Sequence, residues 1–536
     1  MIGFSSSARG MSLVAFTAVA TITLLLCVMM GPDRDDLDEF YTGYGSLSPL
    51  RNGLAIAGDY ISAATVLSTG GVIALFGYDG VVLALSTSLS LALLMFLLAE
   101  PLRNAGRFTQ GDVFARRMPS RAVRIASSAT TIAALVPLML IQLAGTGDLV
   151  AFILDFSNDS LKTGCVIGIG TLMIGYAAIG GMKGTALIQI LKIVMLLGSG
   201  AVIAVLIMQQ FDWSPGALFS AAAAKSGVGP AFLHSGLQFA GVPFPRLDMI
   251  TSELTVVIGG ACLPHVTMRM FTASSARQVR HSMSWAVSCV ALFVLIITVV
   301  GFGASALIGR AAIAGADPQG RTAYLLGSRA AFGADISTAE TLLLTTVTTA
   351  LFLTLLASVS GMILACANSL AHDLFAAGTQ NMSPQREMTL ARVSTFAVGA
   401  PTVVLATLVQ NHNLQPLALL SVSIGASSLA PAVVYSLFWR RFTRTGLLYT
   451  LIGGTITTIV LMTGTNLVSG SPVSAFPNSH FNWFPFTTTG LISIPLGFAF
   501  GWAGTALSGG QKAEEQRRQY EAVEARILAG AERRGN

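Results

Sequence analysis

Charge is what this chain has least of. Of 536 residues only 10% are charged and 53% are hydrophobic, against about 25% charged in a soluble domain, and the mean hydropathy is +0.70. These figures exclude a soluble globular protein and indicate a polytopic membrane protein. The net charge of +6 therefore does not point to nucleic acid, because in such a protein the placement of Lys and Arg matters more than their sum. Cysteine is nearly as scarce. Cys27, Cys165, Cys262, Cys289 and Cys366 sit in apolar runs without a Cys-x-x-Cys spacing, which excludes a disulfide framework and a thiolate metal site and leaves small core residues. Catalytic signatures are missing too. There is no Gly-x-Ser-x-Gly elbow, no His-Glu-x-x-His and no Walker loop, and the six histidines are scattered, so neither an enzyme nor a cofactor is expected.

What the chain does have is long apolar runs. Spanning a hydrocarbon core takes about 20 apolar residues. Thirteen segments meet that need: 11–30, 50–75, 78–99, 124–155, 162–182, 186–208, 247–268, 282–308, 338–371, 388–410, 414–439, 445–466 and 486–507. The first is read as a true span and not a signal peptide, since its run exceeds a usual h-region and no small-x-small cleavage site follows. With the N-terminus outside, seventeen Lys and Arg, Arg34, Arg51, Lys183 and Arg269 among them, fall in cytoplasmic segments and seven outside. The positive-inside rule then places the C-terminus in the cytoplasm of a plasma-membrane protein. The basic loop 100–123 fits topology control, with anionic headgroups as an alternative. The tail QKAEEQRRQYEAVEARILAGAERRGN reads as a solvated helix.

The stretch Asn52–Gly80 is apolar but poorly suited to a plain helix. It holds Gly53, Gly58, Gly70 and Gly71, hydroxyls at Ser62, Thr65, Ser68 and Thr69, and the carboxylate Asp59. Glycine costs about 1 kcal/mol per helical position relative to Ala, and an intramembrane acid roughly 2.5–3.5 kcal/mol. Exposed carbonyls and a charge inside the membrane are what a cation site uses. The alternative is a helix whose glycines only admit close neighbours. Segments two to six and seven to eleven form two groups of five, and an odd number makes the second group enter from the opposite side. That parity predicts an inverted repeat with a broken helix opening each half. The second break is expected in LDMITSELTVVIGGACLPH, with Gly259–Gly260 at its middle, Pro264 near its end and the acids Asp248 and Glu253. In segment nine, Thr354, Ser358 and Gly361 share one small, oxygen-bearing face, suited either to a hard cation or to helix packing. His372–Asp373 reads as a helix-end polar cluster.

The resulting organisation is an N-terminal span and loop (1–49), a first five-helix repeat (50–210), an extracellular loop (211–246), a second repeat (247–440), two peripheral spans (441–507) and a charged tail (508–536). Together DEFYTGYGSLSPLRNGLAIAGDYISAA, GYDG, AEPLRNAGRFTQGDV, IGGMKGTALIQILK, CLPHVTMRMFT with ARQVR, GMILACANSLAHDL and Gln410–Arg444 resemble the sodium:solute symporter family, in its cation/acetate branch, over about residues 36–465. The resemblance implies a fold like that of the leucine transporter and uptake of a solute with sodium as a co-transported ion. It assigns the cation to the carbonyls of Gly58 and Ile61 and to Thr354, Ala357 and Ser358, with Asp59 acting nearby through its charge. Ala357 stands where many relatives carry a hydroxyl. The solute would sit near Tyr60, Thr65, Gln142, Gly259 and Gly260. Departures at Lys183–Leu187, Glu253 and Thr65–Leu67 bear on the solute, for which acetate leads among short monocarboxylates such as propionate and pyruvate. Proton coupling, another solute, or a passive channel or sensor are the alternatives.

Overall fold

Within hydrocarbon, backbone N–H and C=O groups have no water to bond, so apolar segments of this length satisfy themselves as helices. The computed structural model is helical accordingly, and it describes residues 6–29, 31, 36–154, 158–332, 338–376, 382–471, 474–509 and 511–530. Among these, the only extended pairing is two isolated bridges, Ser46 with Ala273 and Ser469 with Phe476. Arg34, counted in the charge argument above, and the last six residues of the tail lie outside the described residues.

Nine described helices are long and apolar enough to cross a membrane, or eleven when two bent pairs each count as one span. Each segment expected from the sequence overlaps a described helix or bent pair, but the last falls on Gly490–Ala506, which is shorter than a full crossing. Segments five and six are two helices within Asp159–Gln210 that meet at Gly181, with φ +51° and ψ −149°. That backbone conformation is essentially confined to glycine, so the Gly-Gly of IGGMKG marks a kink and not an open loop.

Both expected breaks are present. Pro49–Tyr60 and the helix beyond it meet at 58°, and Pro245–Cys262 and Pro264–Thr272 meet at 42°. The helix Thr338–Asn368 continues as a π-helical turn, Ser369–Phe375, and its most apolar stretch is entirely buried. Peripheral helices instead turn Val14, Phe96, Leu295, Leu408, Ile456 and Trp502 outward. Apolar surface exposed on this scale is the lipid-facing belt of a membrane protein.

The tail departs from its expected solvated character. Helix Gln511–Ala529 buries Tyr520 and Ile527 against the ends of neighbouring helices. The Tyr520 hydroxyl donates to the Leu437 carbonyl at 2.6 Å, and Asn104 donates to the Ile527 carbonyl at 3.1 Å. Its alternating charges hid the two side chains that dock it.

Candidate functional site

The first break begins with a change of hydrogen-bond partner. Ile61 N still donates to Ala57 O, but Ser62 N turns to Tyr60 O. Gly58 O therefore loses the donor that a continuous helix would supply four residues on. Ser62 restarts the chain as the N-cap of Ala63–Phe76, accepting from Thr65 N at 3.1 Å, the ordinary role of a serine at that place.

Lys192 takes the freed carbonyl. Its ammonium donates to Gly58 O, to Ser358 Oγ at 2.9 Å and to Gln189 Oε1 at 3.0 Å. Three acceptors match the three N–H groups of an ammonium. Gln189 in turn donates to Asp59 Oδ1 at 2.6 Å and to Ala357 O at 3.0 Å. The second carboxylate oxygen of Asp59 pairs with Arg269. Arg269 also donates to Met182 O at 3.3 Å and lies 3.4 Å from Thr185 Oγ1. Lys192, Gln189 and Arg269 have no exposed surface, and Asp59 has 1%. Buried charges persist only when paired and hydrogen-bonded; Asp59 and Arg269 meet both conditions, while the ammonium of Lys192 is held by three neutral acceptors.

Arg269 follows the second break, so one ion pair ties the two broken helices together. The sequence reading counted Arg269 among cytoplasmic loop charges, and its complete burial corrects that. At the second break, Cys262 O accepts from Gln110 at 3.2 Å, a counterpart to Lys192 at the first. His265, directly after Pro264, is buried with an unpartnered Nδ1.

Of the expected cation residues, Gly58, Asp59, Ala357 and Ser358 meet in this network. Ile61 supplies the turn, and Thr354 spends its hydroxyl on Ala350 O of its own helix at 2.6 Å. Gly361 completes the packing, since a Cβ there would lie 2.8 Å from Asp59 Oδ1. Of the expected solute residues, Tyr60 and Gly260 face each other: a Cβ on Gly260 would lie 2.9 Å from the Tyr60 hydroxyl and 2.7 Å from Ser90 Oγ. Gly259 packs on the Val422 carbonyl. Thr65 belongs to the cap, and Gln142 lies 3.6 Å from Met362 Sδ with its carbonyl oxygen unpartnered. Glu253 lies two turns before Gly260, about 10 Å along the axis at 1.5 Å per residue, beside Ser86 and Asp79.

Two further polar clusters frame the site. On the side where the loop 211–246 packs, Asp79 of GYDG accepts from Gly236 N at 2.8 Å and Gln238 N at 2.7 Å, which explains the motif's acid. At the opposite end, His372 has Asp112 Oδ1 3.0 Å from Nε2 and Glu387 Oε1 2.9 Å from Nδ1. Arg124 donates to Asp112 Oδ1 at 3.1 Å and Asp373 Oδ1 at 2.9 Å. Burial opposes ionisation of Asp112, yet the hydrogen bond and charge of His372, with Arg124 and the Phe108 N–H, hold its carboxyl well below the usual range. The ligand atoms of Asp112, His372 and Asp373 lie within 4.8 Å of one another, close enough for a metal, but Arg124 already bridges the two carboxylates. The helix-end reading of His372–Asp373 fits this arrangement.

A family model described as the sodium:solute symporter family matches residues 40–454. The monocarboxylic acid transporter of Corynebacterium glutamicum is 32% identical over 507 residues, covering 92% of this chain and 91% of that protein. The uncharacterized symporter YwcA of Bacillus subtilis is 32% identical over 511 residues, covering 93% and 95%. Among solved structures, a Na+-coupled sialic acid symporter in a substrate-bound outward-open state superposes with a TM-score of 0.70 at 14% identity, over 94% of this chain and 99% of that one. At that identity the likeness shows the fold alone.

Proposed function

The chain belongs to the sodium:solute symporter family, and from that premise we propose that it takes up a short monocarboxylate together with a cation by alternating access. The observation that carries this reading is the charged network at the first break, joined to the second broken helix by Asp59 and Arg269. Discontinuous helices at the membrane midplane are where transporters of this kind hold solute and ion. The relative named as a monocarboxylic acid transporter supports the solute class, with acetate, propionate and pyruvate as its first members. The family's description supports sodium as the cation, and a proton is the second candidate.

The proposed solute site lies beside the break, at Tyr60, Gly260 and Gln142. Thirteen crossings, with the N-terminus outside and the C-terminus in the cytoplasm, complete the reading. A protease added to right-side-out vesicles should leave the tail intact and should remove it in inverted ones; the opposite pattern would reverse the topology.

An anion moving with one monovalent cation is electroneutral, so a tenfold cation gradient sustains about tenfold accumulation. Proteoliposomes containing the full chain, given labelled carboxylates with an imposed sodium or proton gradient, should accumulate solute transiently above equilibrium. Uptake that only equilibrates, identical with and without either gradient, would mark a passive channel and defeat the proposal.

A further inference from the structure

Resting on the symport reading, we infer that the amino group of Lys192 occupies the cation position at the first break and that the coupling ion is a proton carried on that group, in place of sodium. The argument begins with shared oxygens. Gly58 O and Ser358 Oγ, two of the atoms expected to ligate sodium, both accept from Lys192 Nζ. Ala357 O, a third expected ligand, accepts from Gln189. Thr354 Oγ1 is spent within its own helix. A sodium ion here would need to displace the ammonium from its acceptors and then stand within a few ångströms of it.

The charge around the break opposes that as well. The titratable groups facing Lys192 are Asp59 on Pro49–Tyr60, and His265 and Arg269 on the segment after the second break. The helix carrying Ser358 contributes only neutral groups to the network. With Lys192 and Arg269 both charged, one carboxylate faces two cations. Loss of a proton from Lys192 leaves Asp59 and Arg269 as a balanced pair, so the neutral amine is an accessible second state of the same network.

The coupling step moves one proton and balances. The ammonium, R–NH3+, holds Gly58 of the broken helix and Ser358 of the central helix together. Release of H+ to water on the cytoplasmic side gives R–NH2, which has two N–H groups for three acceptors. The clamp then loses one hydrogen bond and its charge. Reprotonation from outside restores it, and one carboxylate anion enters with each proton.

The test uses the purified full chain in proteoliposomes. Labelled pyruvate is the probe, because it is a stronger acid than acetate and its neutral form leaks less; protein-free liposomes give the leak to subtract. Exchange of labelled for unlabelled pyruvate without any gradient measures the symport reading separately. Given exchange, an outside-acid gradient of one pH unit should drive up to about tenfold accumulation, while a tenfold sodium gradient at equal pH should drive none. Accumulation driven by sodium and indifferent to pH would overturn the assignment of Lys192 and leave the symport reading standing. Absence of exchange for every short carboxylate would overturn both. In Lys192→Met, exchange at whatever rate survives should lose its pH dependence; a wild-type pH profile in that variant would count against Lys192. Should that variant fail to reach the membrane, the ion dependence of the wild type decides alone.

Discussion

Asp59 and Arg269 each make sense only with the other. Both are buried, and removing one partner of a buried pair costs about 3–5 kcal/mol, because the other is left uncompensated. Asp59→Asn should therefore lower thermal stability in detergent strongly, as should Arg269→Met. The double variant Asp59→Asn/Arg269→Met should recover a large part of the loss, with a coupling of about 0.5–3 kcal/mol. Strict additivity would show that the pair is not an energetic unit. Sequence reasoning found Asp59 because a lone acid in an apolar, glycine-rich stretch is conspicuous. It missed Arg269 because that residue follows Pro264 in a polar run, where loop and broken helix look alike. Lys192 did leave a signal, a single ammonium in QILKIVMLLGSG. An intramembrane cation is a functional candidate by default; its partner, a carbonyl 134 residues earlier, carries no side-chain signature.

Elements were more legible than the contacts between them. Apolar length located the long apolar helices, and Gly, Pro and hydroxyl residues located both breaks; the short helices Pro215–Lys225 and Ala323–Ala330 carried no such signal. The expected solvated tail was the main departure, because Tyr520 and Ile527 are two apolar residues among alternating charges and give a weak stripe. Tyr520 docks on Arg117, which donates to the carbonyls of Tyr435 and Ser436 at 3.1 Å, Arg440 at 2.7 Å and Phe442 at 2.9 Å. The Tyr520 ring covers its guanidinium at 4.1 Å. Tyr520→Ala removes a cation–π contact of about 0.5–2 kcal/mol and a hydrogen bond of about 1 kcal/mol. Together these are about 1.5–3 kcal/mol, and because the shift per kcal/mol shrinks as the chain lengthens, the melting temperature should fall by about 2–4 °C. Unchanged melting in the Tyr520→Ala protein would show that the tail rests on this surface without stabilising it. Arg117→Lys should cost more, since a lysine ammonium has three donors for four carbonyls.

At the scale of the whole molecule, two broken helices, the helix that carries Lys192 beyond the Gly181 kink and a buried central helix converge on one polar network. A dissociable ion stabilises the folded protein by mass action, with a contribution that grows with its concentration. Lys192 is bonded to the chain, so its concentration at the break cannot be diluted. Purification in sodium-free buffer should therefore strip nothing from the site. At constant ionic strength, replacing sodium with choline across a hundredfold range should leave the melting temperature flat. A bound ion titrated to 100 times its dissociation constant would instead contribute about 2.7 kcal/mol, which the same melts would register as a clear rise with sodium. On this inference the protein carries its own cation into the membrane interior, and its stability answers to protons in the surrounding water and not to sodium.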